Sequence, residues 1–357
     1  MKKELLNFLC CPECEGNIII NKIAIENKGN IITGLLACNK CSLTWPIRNA
    51  IPRFVEKNYY AGSFGKQWKT FAKTQLDNDK IKESETRFKS ELGWNANELK
   101  GKTVLEFGSG AGRFVDVVSR AGAKLIVGVD VTDAVDASQD NLSSRNNVSF
   151  IQADLFHLPI RKNSFDYVYS IGVLHHTPDP KAAFNKMIET TKVDGSIGLS
   201  LYEISLYNRP NRNTLWVSTK ELFWALNMWR CELFRNLTTR LPQSLFLVYC
   251  KTAIPILHII NKIPVLRYIR YFFPSTCYKT LPVAWSMLDT YDTYATKIVH
   301  QYRGKDIFHW FLSEGMDRII LHNGRAGWVS VTGIKRSDEE RKKLKIAESQ
   351  PSDIGSR

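Results

Sequence analysis

The stretch Thr103–Phe114, TVLEFGSGAGRF, constrains this 357-residue chain more than any other. A run of strand-forming apolar residues ends in three closely spaced glycines and passes into a helical pattern. Such a turn lets the backbone approach a ligand at a helix N-terminus. Four more strand-like runs follow before residue 203: LIVGVD, VSFIQAD, FDYVYSIG and GSIGLSLY. Helical segments separate them, so the alternation predicts an α/β fold with a parallel sheet and helices on both faces. Glu106, Asp130 and Asp154 fall at the ends of the first three runs. Ligands of open α/β sheets bind at that edge, which makes the three acids candidate ligand-binding groups. Each can instead be a helix cap or a turn residue.

The glycine spacing bears on which ligand. A dinucleotide loop reads G-x-G-x-x-G, but here the glycines are Gly108, Gly110 and Gly112, and Arg113 stands where the third fingerprint glycine belongs. A dinucleotide such as NAD is the alternative that this order disfavours. The pattern E-x-G-x-G-x-G resembles motif I of the class I S-adenosylmethionine-dependent methyltransferases, and SFDYVYSIGVLHHTPDP (164–180) resembles their motif IV, in the manner of the bacterial type 11-like branch.

The resemblance implies a Rossmann-like sheet that binds S-adenosylmethionine. Glu106 would orient the loop or meet the ammonium, while Gly108, Ser109, Gly110 and Gly112 pass close to the amino acid end. Asp130, with Val131 beside it, would take the ribose. Asp154 would meet the adenine amino group and Leu155 would cover the ring. Ser170, Ile171 and Gly172 would lie beneath the methionine portion. His175 and His176 are the nearest candidates for a catalytic base, with pocket shaping as the other role. The Asn/Asp-Pro-Pro-Tyr signature of amino-group methylation is absent, which leaves carbon, oxygen and other small-molecule acceptors open.

Of eight cysteines, five fall within the first 41 residues. CPEC (11–14) and CNKC (38–41) give two Cys-x-x-Cys pairs, enough for four thiolates on one tetrahedral ion. Cys11, Cys14, Cys38 and Cys41 are therefore expected to hold a structural zinc, with Cys10 spare. LLNFLCCPECEGNI and CNKCSLTWPIRNAIPRF resemble the small zinc ribbon shared with the activator subunit of tRNA and protein methyltransferases. Trp45, Pro46, Ile47, Ile51 and Pro52 carry the pattern that closes its second knuckle.

The expected organisation is a zinc ribbon (1–57), a helical cover (58–100), a core split into 101–204 and 286–334, a helical insertion or lid (205–285) and a disordered tail (335–357). In the cover, Phe64, Gln67, Trp68 and Phe71 are expected to face inward. In LDTYDTYA, Asp289, Tyr291, Asp292 and Tyr294 are candidates for an acceptor pocket. Both stretches resemble one bacterial branch of such fused enzymes, and ordinary packing is the alternative for each aromatic.

The insertion carries a net +9 of the chain's +14, mixed with tryptophan, phenylalanine and leucine. That pairing suits a lid or a membrane-interface segment better than an open nucleic-acid face. The expected function is transfer of a methyl group to a small-molecule or lipid-like acceptor. An RNA methyltransferase or a non-catalytic scaffold is the alternative. The N-terminal apolar run is broken by Glu4 and Asn7 and is too short for a signal peptide. A cytoplasmic location is expected, with peripheral contact at the inner face of the membrane if the insertion lies on lipid.

Overall fold

The computed structural model describes residues 1–55, 67–68, 70–204, 219–322, 324 and 327–341. Phe64, the joint between ribbon and cover, the first part of the insertion and residues 342–357 lie outside them.

Four antiparallel strands form the N-terminal sheet in sequence order: β1 (Ile18–Asn27), β2 (Asn30–Cys38), β3 (Thr44–Arg48) and β4 (Ile51–Pro52). The main sheet has seven strands: β5 (Thr103–Phe107), β6 (Leu125–Asp130), β7 (Val148–Gln152), β8 (Phe165–Ile171), β9 (Thr191–Tyr202), β10 (Asp317–His322) and β11 (Trp328–Ile334). Their order is β10-β11-β9-β8-β5-β6-β7, with β11 alone running antiparallel to the other six. β5 and β7 are buried along their whole length, as the apolar runs required of strands covered on both faces. The chain moves outward from β5 to β7 and returns on the other side of β5 as β8. That reversal opens a crevice at the C-terminal ends of β5 and β8.

Helices α1 (Glu83–Leu92), α2 (Arg113–Arg120) and α3 (Ala134–Leu142) contribute Phe88, Leu92, Phe114, Val115, Val118 and Val135 to one face of the sheet. Helix α4 (Pro180–Thr190) covers the other. Asp179 caps it by accepting from the Ala182 N–H at 2.9 Å, and Pro180 fits its first turn, which explains the PDP of motif IV.

The N-terminal region is not a free-standing domain. Leu5, Leu9, Ile31 and Leu36 join Ile151, Leu155 and Ile160 in one core. Arg53 donates to the Gln152 side chain at 2.8 Å and pairs with Asp136 at 2.6 Å, tying β4 to β7 and α3. The expected boundary at 57 therefore separates two parts of a shared core.

Two other expectations need correction. Helices α5 (Thr219–Thr238), α6 (Gln243–Ile260) and α7 (Val283–Ala295) make a third core from Phe246, Cys250, Ile254, Leu257, Tyr291 and Tyr294. The insertion thus runs past 286 to the end of α7, and the sheet pattern resumes with α8 (Gly304–Ser313). The disordered tail cannot begin at 335. The buried Lys335 amine donates to the carbonyls of Ile188 (2.8 Å) and Thr191 (2.7 Å), and Arg341 donates to Glu314 O at 2.8 Å. Polar atoms, which an apolar-content argument does not weigh, fix this segment.

Candidate functional site

A cavity of about 530 Å³ lies over the C-terminal ends of β5, β6 and β8. Its floor is the glycine loop. Asp130 Oδ2 accepts the Gly110 N–H at 2.9 Å, and Oδ1 accepts the Thr132 N–H at 2.9 Å and hydroxyl at 2.7 Å. Gly108 has φ +79°, and a Cβ there would stand 2.3 Å from Val173, so both conformation and space require glycine. Gly172 has φ +77°, and its missing Cβ makes room for the Trp328 ring.

Glu106 is buried under the loop and accepts from the Tyr169 hydroxyl at 3.1 Å. Burial pushes its carboxyl up to about 8, against that hydrogen bond. The Ser109 hydroxyl is buried and without a hydrogen-bond partner among the described residues. Val131 and Leu155 add apolar wall beside Asp130.

The opposite half is roofed by the insertion and the helical cover. Asp289 and Asp292, one turn apart on α7, both line it. Gln75 donates to Asp289 at 3.3 Å and Gln67 to Asp292 at 3.3 Å, and the Tyr278 hydroxyl donates to Asp289. Burial raises both carboxyls above the usual range. Arg87 donates to Glu91 at 2.7 Å and lies 4.1 Å from the Trp328 ring centre. Arg113 donates to the Ser84 hydroxyl at 2.9 Å and sits over Trp285. The Nη2 atom of each is buried without a hydrogen-bond partner among the described residues, leaving donors for an anionic group.

The candidate residues do not all reach the cavity. Glu106, Gly108, Ser109, Gly110, Asp130, Val131, Leu155, Ile171, Gly172, His176, Asp289 and Asp292 line it. Gly112 is instead the left-handed N-cap of α2, and Ser170 is spent on the Phe107 carbonyl at 3.0 Å. Asp154 accepts from the Phe156 N–H at 3.0 Å, the turn role held open as its alternative. Tyr291 and Tyr294 point into the insertion core, where Tyr291 stacks on Phe246.

His175 lies behind the wall, packed against Tyr202 with ring centres 3.9 Å apart. Neither of its nitrogens has a hydrogen-bond partner among the described residues. Burial holds it well below the usual histidine range. His176 reaches the cavity, where its Nδ1–H donates to the Ile298 carbonyl at 2.8 Å, and burial lowers it to about 4. Both rings are therefore neutral near pH 7.

Arg87, Arg113, Tyr202, Tyr278 and Trp328 also line the cavity, and sequence reasoning did not single them out as site residues. Arg113 had a signal, since it displaces a fingerprint glycine in the loop itself.

The N-terminal cluster meets the needs of a metal. The Sγ atoms of Cys11, Cys14, Cys38 and Cys41 all lie within 4.8 Å of one another, a spread that suits tetrahedral zinc with four thiolates. The N–H groups of Lys40 and Cys41 point at Cys38 Sγ at 3.3 and 3.5 Å, and chiefly the latter draws that thiol down to about 6. Four protein ligands leave no open position, so the ion would be structural.

Residues 105–199 match the family described as methyltransferase domain, and residues 2–49 match Trm112p-like protein. The chain carries a methyltransferase domain behind a Trm112p-like domain. The methyltransferase domain is 28% identical over 107 residues to the ubiquinone biosynthesis O-methyltransferase of Neisseria meningitidis, covering 29% of this chain and 45% of that protein. It is 31% identical over 112 residues to the tRNA U34 carboxymethyltransferase of Ruthia magnifica, covering 30% and 35%. The chain thus spans less than half the length of these two relatives. Among solved structures, the Haloferax volcanii complex of the Trm112 activator with a putative methyltransferase is 11% identical, with a TM-score of 0.43, over 77% of this chain and 98% of that one.

Proposed function

We propose that this protein is an S-adenosylmethionine-dependent methyltransferase acting on a small-molecule or lipid-like acceptor. The observation that carries the reading is one roofed cavity with two unlike halves. The glycine loop, Glu106 and Asp130 line one, and Asp289, Asp292 and Tyr278 line the other. Its volume suits a cofactor together with a compact acceptor.

Bound S-adenosylmethionine supplies an electrophilic methyl group on a sulfonium. The chain's own residues bind and align. Glu106 would meet the ammonium, directly or through water, and the Ser109 hydroxyl, without a hydrogen-bond partner among the described residues, would face the amino acid end. Asp130 keeps acceptor capacity for ribose hydroxyls beyond its three hydrogen bonds. Leu155 and Val131, which line the cavity, would flank the adenine.

On the acceptor side, Asp289 and Asp292 hold a hydroxyl or amine. Asp289, with its raised affinity for a proton, takes one if the acceptor must lose it. The roof excludes water and holds the partners in line. His176, neutral and tethered to Ile298, shapes the wall.

A transfer RNA acceptor is the second reading, because one relative is a tRNA U34 carboxymethyltransferase. The test incubates purified protein and methyl-labelled S-adenosylmethionine with host extract separated into lipid, small-molecule, RNA and protein pools. Label is expected in the lipid or small-molecule pool, and Asp289→Asn is expected to lower transfer about 100-fold or more while cofactor affinity holds. Label in RNA would replace this reading with the second. No label, together with no cofactor binding by calorimetry, would end both.

A further inference from the structure

We propose that the exposed apolar face of the insertion docks on an anionic lipid surface. Among the described residues, sixteen of the twenty-three exposed large hydrophobic side chains fall between Leu226 and Phe273. Isolated exposed leucines are ordinary; this concentration marks an interaction surface.

The pattern on α6 is the sharpest part. Phe246, Cys250, Ile254 and Leu257 form its buried stripe within the insertion core. Leu245, Val248, Ile256 and Ile259 recur at helical spacing on the opposite side and are all exposed, as is Ile263 just beyond the helix end. A helix that is apolar on both sides needs a second covering surface. By length and composition Gln243–Ile260 could cross a bilayer. Its inner stripe is committed to protein, however, so it would lie along the interface instead. The apolar surface continues into the next turn, where Val265 is 79% and Phe272 78% exposed.

Charge chooses the occupant. Residues 205–285 carry eleven Lys/Arg against two Asp/Glu. On α6 and just beyond it, exposed Lys251 and Lys262 share one flank of the apolar stripe at helical spacing, with Arg267 following. Long cationic side chains beside an apolar stripe suit anionic headgroups over acyl chains. A second copy of this chain would instead bring the same excess of positive charge against itself. The insertion also supplies Arg235, Thr276 and Tyr278 to the cavity wall, so the docked face and the acceptor site share one element.

The test is co-sedimentation of the full chain with phosphatidylcholine vesicles, with and without phosphatidylglycerol, at low and high salt. Light scattering on the free protein runs alongside. Binding to the anionic vesicles is expected, weakening with salt. The combined Ile259→Ser, Val265→Ser and Phe272→Ser variant is expected to partition at least about 100-fold less. Lys251→Gln, Lys262→Gln and Arg267→Gln are each expected to weaken binding about fivefold. The charge variants leave the apolar surface intact, so they carry the test if the serine variant fails to fold. Absence of binding, or binding unchanged in the variants, would overturn the proposal. So would a dimer that the serine variant converts to monomers, which would assign the face to a second copy. Vesicle binding needs no methyl transfer, so its failure is distinguishable from failure of the assigned reaction.

Discussion

The ribbon and the insertion are both additions to the same sheet, and they solve the problem of covering apolar surface in opposite ways. The ribbon gives its inner face to the sheet, with Leu5, Leu9 and Ile31 sharing a core with Ile151 and Leu155. It keeps four thiolates together for a metal. The insertion builds a core of its own and leaves Val265, Phe272 and the outer stripe of α6 uncovered. One addition is structural by its contacts, and the other is finished only when something else arrives.

The largest expected effect is on the ribbon. Because its core is shared, Cys38→Ser or removal of the metal by a chelator should destabilise the whole chain, by more than about 4 kcal/mol. Thermal unfolding with zinc analysis checks this. Loss of metal with an unmoved melting temperature would break the comparison. Next, Leu9→Ala should cost about 2–5 kcal/mol, since the side chain is fully buried where ribbon meets core.

A smaller effect comes from Glu106. Its folded value, about 8, lies above its ordinary 4.5. The group therefore favours the ligand-free fold at acid pH, and that contribution is lost as pH rises through about 8. A ligand ammonium needs the ionised form, so cofactor affinity should rise by up to about tenfold per pH unit from pH ~6, then level off above about 8. Titration calorimetry should find this slope absent in Glu106→Gln. At the bottom of the scale, Ile256→Ala, on the uncovered stripe, should change stability by no more than about 0.5 kcal/mol. A cost matching that of Leu9→Ala would show the insertion face to be covered after all.

The sheet was legible because each buried strand announces itself as an apolar run, and the loop because glycines at positive φ have few substitutes. Cys11, Cys14, Cys38 and Cys41 were legible because metal ligation needs specific atoms at knuckle spacing. The roof was not. Asp289 with Asp292, and Tyr291 with Tyr294, are both pairs three residues apart on one helix, so periodicity cannot say which pair faces the cavity. Trp328 and Tyr202 meet at the site because β11 pairs antiparallel with β9, a contact across more than a hundred residues that local pattern does not encode. Lys335 escaped for a related reason, since a buried lysine reads as tail until its carbonyl partners are known.

The three hydrogen bonds made by Asp130 bear on how a ligand enters. One carboxylate already ties the glycine loop to the segment leaving β6. The loop therefore has little conformational freedom left to surrender when a ligand arrives. If so, the pace of exchange belongs to the roof, and a change in the insertion that leaves every cofactor contact intact can still set how long the ligand stays.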